Sequence, residues 1–212
     1  LKLRKSVSAL FLLCVLLVQT NIRGAESFEL QDGDRVVFLG DALIEQEQYA
    51  GWIELMMTAA FPERDVTFRN LGWSADTPSG KSRFGLSLLP AGREPAGEGW
   101  RQLVKQLKFT QPTVIVFGYG MASALDSGME GVAAFTQDYQ RLVDTAKQMQ
   151  PDLRCVLLSP LGRRSDQSRT IQTDASVLTA YRKAVNQVAD NNDGVFVDLS
   201  DVAIDDGLRK DP

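Results

Sequence analysis

The 212-residue chain contains no histidine and only two cysteines, Cys14 and Cys155. Without histidine it holds no Ser-His-Asp triad, no Cys-His dyad and no histidine-ligated metal. Two cysteines make no disulfide framework, and no C-x-x-C pair offers a zinc, haem or redox motif. The most apolar stretch, residues 7–18, falls short of the roughly 20 residues a membrane-spanning helix needs. Repeats and low-complexity tracts are also missing. What is present is ordinary: 44% hydrophobic and 24% charged residues, the balance of a globular domain. The length suits one domain, which buries roughly 70% of the surface its unfolded chain exposes.

Lys2, Arg4 and Lys5 precede the apolar run, and Gln19, Thr20 and Asn21 follow it. That order is the charged start and apolar centre of a secretory signal peptide, which sets residues 1–25 apart from a domain over residues 26–212. Export is therefore expected, with the membrane met only through this segment. Removing it takes four basic residues from 23 and no acid from 27, leaving 19 against 27 and a net charge of −8. An acidic domain lacks the basic footprint that nucleic acid demands. Cys155 lies in an apolar run and reads as a small buried hydrophobe.

Strands and helices alternate along the remainder. Residues 35–39, 66–68, 114–117, 156–158 and 195–197 are short apolar, β-branched runs that read as strands. Helical spacing links Trp52, Leu55, Met56 and Ala59, so a helix is expected over residues 49–61, stopped by Pro62. Trp100, Leu103, Val104 and Leu107 mark another. Val132, Phe135, Tyr139, Leu142, Ala146 and Met149 mark a third, with Ser127 and Glu130 predicted as its capping box. Val177, Tyr181, Ala184 and Val188 mark the last. This alternation predicts an α/β, flavodoxin-like three-layer sandwich around a parallel five-stranded sheet of order 2-1-3-4-5. Ligands in such folds bind beyond the carboxyl ends of the strands.

The loops at those ends read Gly40-Asp41-Ala42-Leu43, Asn70-Leu71-Gly72-Trp73-Ser74 and Gly118-Tyr119-Gly120-Met121. Together they resemble the first three sequence blocks of the SGNH (GDSL-type) ester hydrolases, and Asn70 to Asp76 is similar to an exported bacterial branch. Some members of that branch form the leading part of longer multidomain proteins. The resemblance implies a serine nucleophile in the first block. It implies an oxyanion hole from the serine N–H, a second-block glycine N–H and a third-block asparagine. A late Asp-x-x-His supplies the base. No cofactor is implied, and the ligand expected is a small ester or carbohydrate.

Here Ala42 stands at the nucleophile position, Gly120 at the asparagine position, and no histidine is present. No catalytic residue is therefore assigned. Asp41, Ala42, Gly72 and Gly120 are expected to form an oxyanion-hole-like pocket, with Trp73 and Ser74 as ligand contacts. Trp73 reads equally as a pocket wall or as a lid over the sheet end. Asp41 reads as the residue holding the first loop. Fourteen residues follow Asp198, ending where the family's histidine loop is due, so the reading frame is expected to continue past Pro212 with that loop and a final helix.

Other constellations are weaker. Gly118-Tyr119-Gly120-Met121-Ala122-Ser123 loosely matches a dinucleotide-binding G-x-G-x-x-G, but it follows the third strand and ends in serine. Ser74 and Ser159 are candidate substitute nucleophiles without a histidine base. Loop serines more often cap or turn the backbone. Asp41, Asp76 and Asp198 form a cation or acid/base cluster if they converge, and otherwise fix turns. No metal site is assigned. Arg163, Arg164 and Arg169 either solvate a loop or receive an acidic ligand group. Two functions follow: a degenerate domain that binds a ligand without hydrolysing it, or an ester or carbohydrate-ester hydrolase with a rearranged site.

Overall fold

A computed structural model describes residues 28–83, 97–161 and 174–200. The expected signal segment, the arginine loop at 163–169 and the chain after Ser200 lie outside the described residues. Five parallel strands form one sheet: β1 (Arg35–Gly40), β2 (Thr67–Asn70), β3 (Val114–Gly118), β4 (Arg154–Leu158) and β5 (Val195–Val197). Their order is β2-β1-β3-β4-β5, as the alternation predicts. The register pairs Gly40 with Gly118 at the carboxyl end of the two central strands.

Because side chains alternate along a strand, each strand supplies both faces of the sheet. Val37, Leu39, Ile115, Phe117, Cys155 and Leu157 point one way, against α3 (Glu98–Thr110), α5 (Val132–Met149) and α6 (Ala175–Asn191). Val36, Phe38, Val114, Val116, Val156 and Leu158 point the other way, against Leu30, α1 (Ala42–Ala50) and α2 (Trp52–Ala60). Both faces are covered, which is why β1 and β3 read as unbroken apolar runs. At the opposite end from the loops, Arg154 grips the Asp34 carboxylate, whose pKa falls. Burial works against that fall, while the Arg154 and Gln31 hydrogen bonds outweigh it.

Three local expectations are corrected. The helix placed at 49–61 is two helices, α1 and α2, broken at Gly51, whose φ of 64° lies in the left-handed region. Trp52, Leu55 and Met56 face outward, and the inward stripe is Ile53, Met57 and Phe61. The Ser127–Glu130 capping box does not form. A short helix, α4 (Met121–Ser127), and a 3-10 turn over Gly128–Gly131 occupy that segment, and Ser127 Oγ donates to Asp126. The helix after the G-x-G-x-x-S match begins at Met121.

Tyr139 sits at the centre of the α5 side, edge-on to Phe117, Tyr119 and Phe135. Its hydroxyl is fully buried and has no protein partner among the described residues. A buried hydroxyl without a hydrogen bond costs about 1–3 kcal/mol. Tyr139→Phe is therefore expected to raise stability by about 1 kcal/mol in urea unfolding; a loss of similar size would show that the hydroxyl is satisfied.

Candidate active site

The chain leaves β1 through Gly40 and turns directly into α1, so Asp41 sits where strand, helix and neighbouring loop meet. Its backbone N–H donates to the Gly118 carbonyl at 3.0 Å. One carboxylate oxygen accepts the Leu43 N–H at 3.4 Å and caps α1; the other accepts the Ala122 N–H at 3.1 Å, in the first turn of α4. Burial pushes the Asp41 carboxyl above its ordinary value, and the N–H groups of Ala122, Leu43 and Gly120 hold it back. Asp41 thus holds the first loop. Ala42 is the exposed first residue of α1.

Beyond these strand ends lies a predominantly apolar cavity of about 950 Å³. Ala42, Leu43 and Gln46 of α1, Ala75, Thr77, Lys81 and Ser82 of the second loop, and Met121 and Leu125 of α4 line it, with Tyr119, Ser159 and Pro160 beside them. Of the expected pocket residues, Asp41 and Ala42 are on the wall. Gly72, Gly120, Trp73 and Ser74 are not among the lining residues.

Gly72 packs beneath α1. A Cβ there would collide with the Glu45 backbone nitrogen, so only glycine fits. Its N–H donates to Asn70 Oδ1 at 2.7 Å, and the Asn70 amide in turn donates to the Ile44 carbonyl at 2.8 Å. The donor expected for an oxyanion is therefore already engaged. Of the second loop, Ala75, Thr77, Lys81 and Ser82 reach the cavity, and Ala75 is held at a φ of 57°. Gly120 has a φ of 133°, and a Cβ there would meet Pro160 Cγ at 2.7 Å. The present backbone leaves no room for an asparagine at 120. Trp73 is partly exposed, with its N–H on the Gly40 carbonyl at 3.0 Å, and Ser74 donates to the Glu45 carboxylate.

The three aspartates do not converge. Asp198 accepts from Arg182 at 2.8 Å, and donation from Ser200 holds its carboxyl below the usual range. Ser159 Oγ accepts the Leu199 N–H at 2.7 Å and lies 3.2 Å from Asp198, stapling β4 to the end of β5. Asp76 is fully buried against Arg83, at 2.6 Å from Nε, and accepts the Tyr119 hydroxyl at 3.1 Å. Burial and the Asp76 carboxylate push the Tyr119 phenol well above its ordinary value, so it stays a donor. Among the described residues no three acidic, cysteine or histidine side chains are grouped to hold a metal ion.

Sequence reasoning missed Arg83. Its other nitrogens donate to Gln106 at 2.7 Å and to the Leu71 carbonyl at 2.6 Å, pinning the second loop to α3. In the sequence it is one more charge in a polar stretch, and nothing local marks it as buried.

A family model for the GDSL-like Lipase/Acylhydrolase family matches residues 38–212. The chain belongs to that family. Among curated proteins none matches it. Solved structures share the fold at low identity. A lipase/acylhydrolase from Enterococcus faecalis is 16% identical with a TM-score of 0.58, over 82% of this chain and 78% of that one. An acetyl xylan esterase from Geobacillus stearothermophilus is 15% identical with a TM-score of 0.54, over 82% of both. A gut microbial diltiazem-metabolizing enzyme is 18% identical with a TM-score of 0.54; the match covers 84% of this chain and only 39% of that one. In this family member the group at position 42 that lines the cavity is a methyl.

Removing the guanidinium would leave the Asp76 charge buried and unpaired, an effect of about 3–5 kcal/mol. Arg83→Met is expected to lose that much stability in urea unfolding. A loss under about 1 kcal/mol would show that the network does not hold the loop.

Proposed function

We propose that this chain is an exported member of the GDSL-like family that binds a small ester or carbohydrate ligand without hydrolysing it. The observation that carries this reading is the exposed Ala42 at the cavity, where the family's chemistry calls for a hydroxyl. Acyl transfer needs a nucleophile, a base within hydrogen-bond reach and donors for the oxyanion. Ala42 supplies no nucleophile. Gly120, enclosed by Pro160, supplies no side-chain donor, and the Gly72 N–H is engaged by Asn70. Ser159 is committed to Leu199 and Asp198, and Ser82 Oγ donates to the Ala75 carbonyl at 2.7 Å. Neither hydroxyl has a histidine base beside it among the described residues.

What the described residues do offer is a preformed, mostly apolar cavity at the carboxyl ends of the strands, of the size that small ligands fill. Export is part of the same proposal, supported by the charged and apolar N-terminal segment. So is membership of a longer multidomain protein. The alternative is an ester or carbohydrate-ester hydrolase with a rearranged site. Its support is the intact cavity and the fold shared with an acetyl xylan esterase.

One assay separates them. The purified chain is expected to show no saturable turnover of p-nitrophenyl acetate or butyrate above buffer; hydrolysis that survives repurification would favour the alternative. Ala42→Ser is expected to fold with unchanged stability, since position 42 is exposed, and still to show no acyl-enzyme burst. A burst from that single variant would mean that base and oxyanion donors are in place.

A further inference from the structure

We propose that the ligand is an apolar carboxylate, an aliphatic body with one anionic head, and that Lys81 at the cavity mouth receives the head. The inference rests on the reading above that this cavity binds a ligand without hydrolysing it, and puts an aliphatic carboxylate in place of the ester or carbohydrate expected there. The cavity wall is built from Leu43 of α1, Met121 and Leu125 of α4, and Pro160 and Leu161 after β4. Leu125 is 42% exposed at the open side, apolar surface left facing water. Each methylene that leaves water for such a wall favours binding roughly fourfold. An aliphatic body is thus what the wall selects.

The charged side chains on the wall decide the head. They are Asp41, Lys81 and Asp126. Asp41 is buried, and its two oxygens accept the N–H groups of Leu43 and Ala122. Lys81 and Asp126 face each other across the mouth at 2.7 Å, from the second loop and from α4, and both are more than half exposed. An exposed ion pair of this kind contributes little, so its partners exchange readily.

The exchange is not symmetrical. Asp126 also accepts the Ser127 hydroxyl at 3.0 Å and keeps it when Lys81 turns away. Among the described residues the Lys81 ammonium is hydrogen-bonded to Asp126 alone. A ligand carboxylate can take the place of the Asp126 carboxylate on Lys81 while its body lies on the leucine, methionine and proline wall. The flexible lysine stem lets the ammonium follow the incoming head. Asp126 is then an internal stand-in for the ligand head, and its removal frees Lys81.

Titration calorimetry of the purified chain with decanoate, decyltrimethylammonium and 1-decanol, each below its micelle or solubility limit, tests this. Decanoate is expected to bind one per chain, at least tenfold more tightly than the ammonium amphiphile. Lys81→Met should weaken decanoate about tenfold and leave decanol within twofold, and Asp126→Asn should tighten decanoate severalfold. Equal or tighter binding of the cation overturns the assignment, as does decanoate binding unchanged in Lys81→Met. Binding of none of the three also overturns it. The same preparations are assayed with p-nitrophenyl butyrate. Turnover together with decanoate binding overturns the non-hydrolytic reading and leaves the head-group assignment standing. No turnover and no decanoate binding overturns the assignment alone.

Discussion

The site depends on the way one carboxylate is divided. Asp41 caps α1 with one oxygen and holds the first turn of α4 with the other, while its own N–H closes onto β3. Four elements meet at that residue, and the N–H groups its carboxylate satisfies would otherwise be orphaned at helix starts. The bonds form where water is excluded, so an unpaired carboxylate there would be costly. This explains how the loop keeps its shape with alanine at position 42: the aspartate holds the turn, and residue 42 is left free of that duty.

Around that point the framework is held by close backbone approach and by one buried charge pair. Gly40 and Gly118 meet across the central strands, and Gly72 lies against the α1 backbone; any Cβ would collide. Asp76, Arg83 and Tyr119 then fix the second loop against β3 and α3. These constraints are geometric, and none of them requires a nucleophile. The cavity's shape is therefore set independently of any reacting group, as the proposed non-hydrolytic role requires.

The sheet was legible because strands covered on both faces must be apolar at every position, and five such runs alternate with helical spacing. The helices that touch the site were not. In α1 only Ile44 is buried, so the segment shows no apolar stripe, and α4 is too short to display a period. Trp52, Leu55 and Met56 form a convincing stripe that faces outward, because periodicity marks a face without saying which side is covered. Within the site, Asp41 and Ala42 were readable from their place after β1. At Gly72 the structure shows close packing under α1, and a glycine needed for that looks the same in sequence as one needed for its N–H. Ala75 escaped notice because residue type does not announce a left-handed alanine. Arg83 and Lys81 escaped because burial and reach across a cavity are long-range properties.

The central claim is that the family's loop architecture survives here without an activated nucleophile. The most direct measurement is intact mass after prolonged incubation of the folded chain with an alkyl fluorophosphonate, which phosphonylates activated serines and spares ordinary ones. The account predicts an unchanged mass, because Ala42 has no hydroxyl and Ser159 and Ser82 are held in hydrogen bonds. A stoichiometric adduct that maps to a serine at the cavity, and is lost on unfolding the chain beforehand, would contradict it.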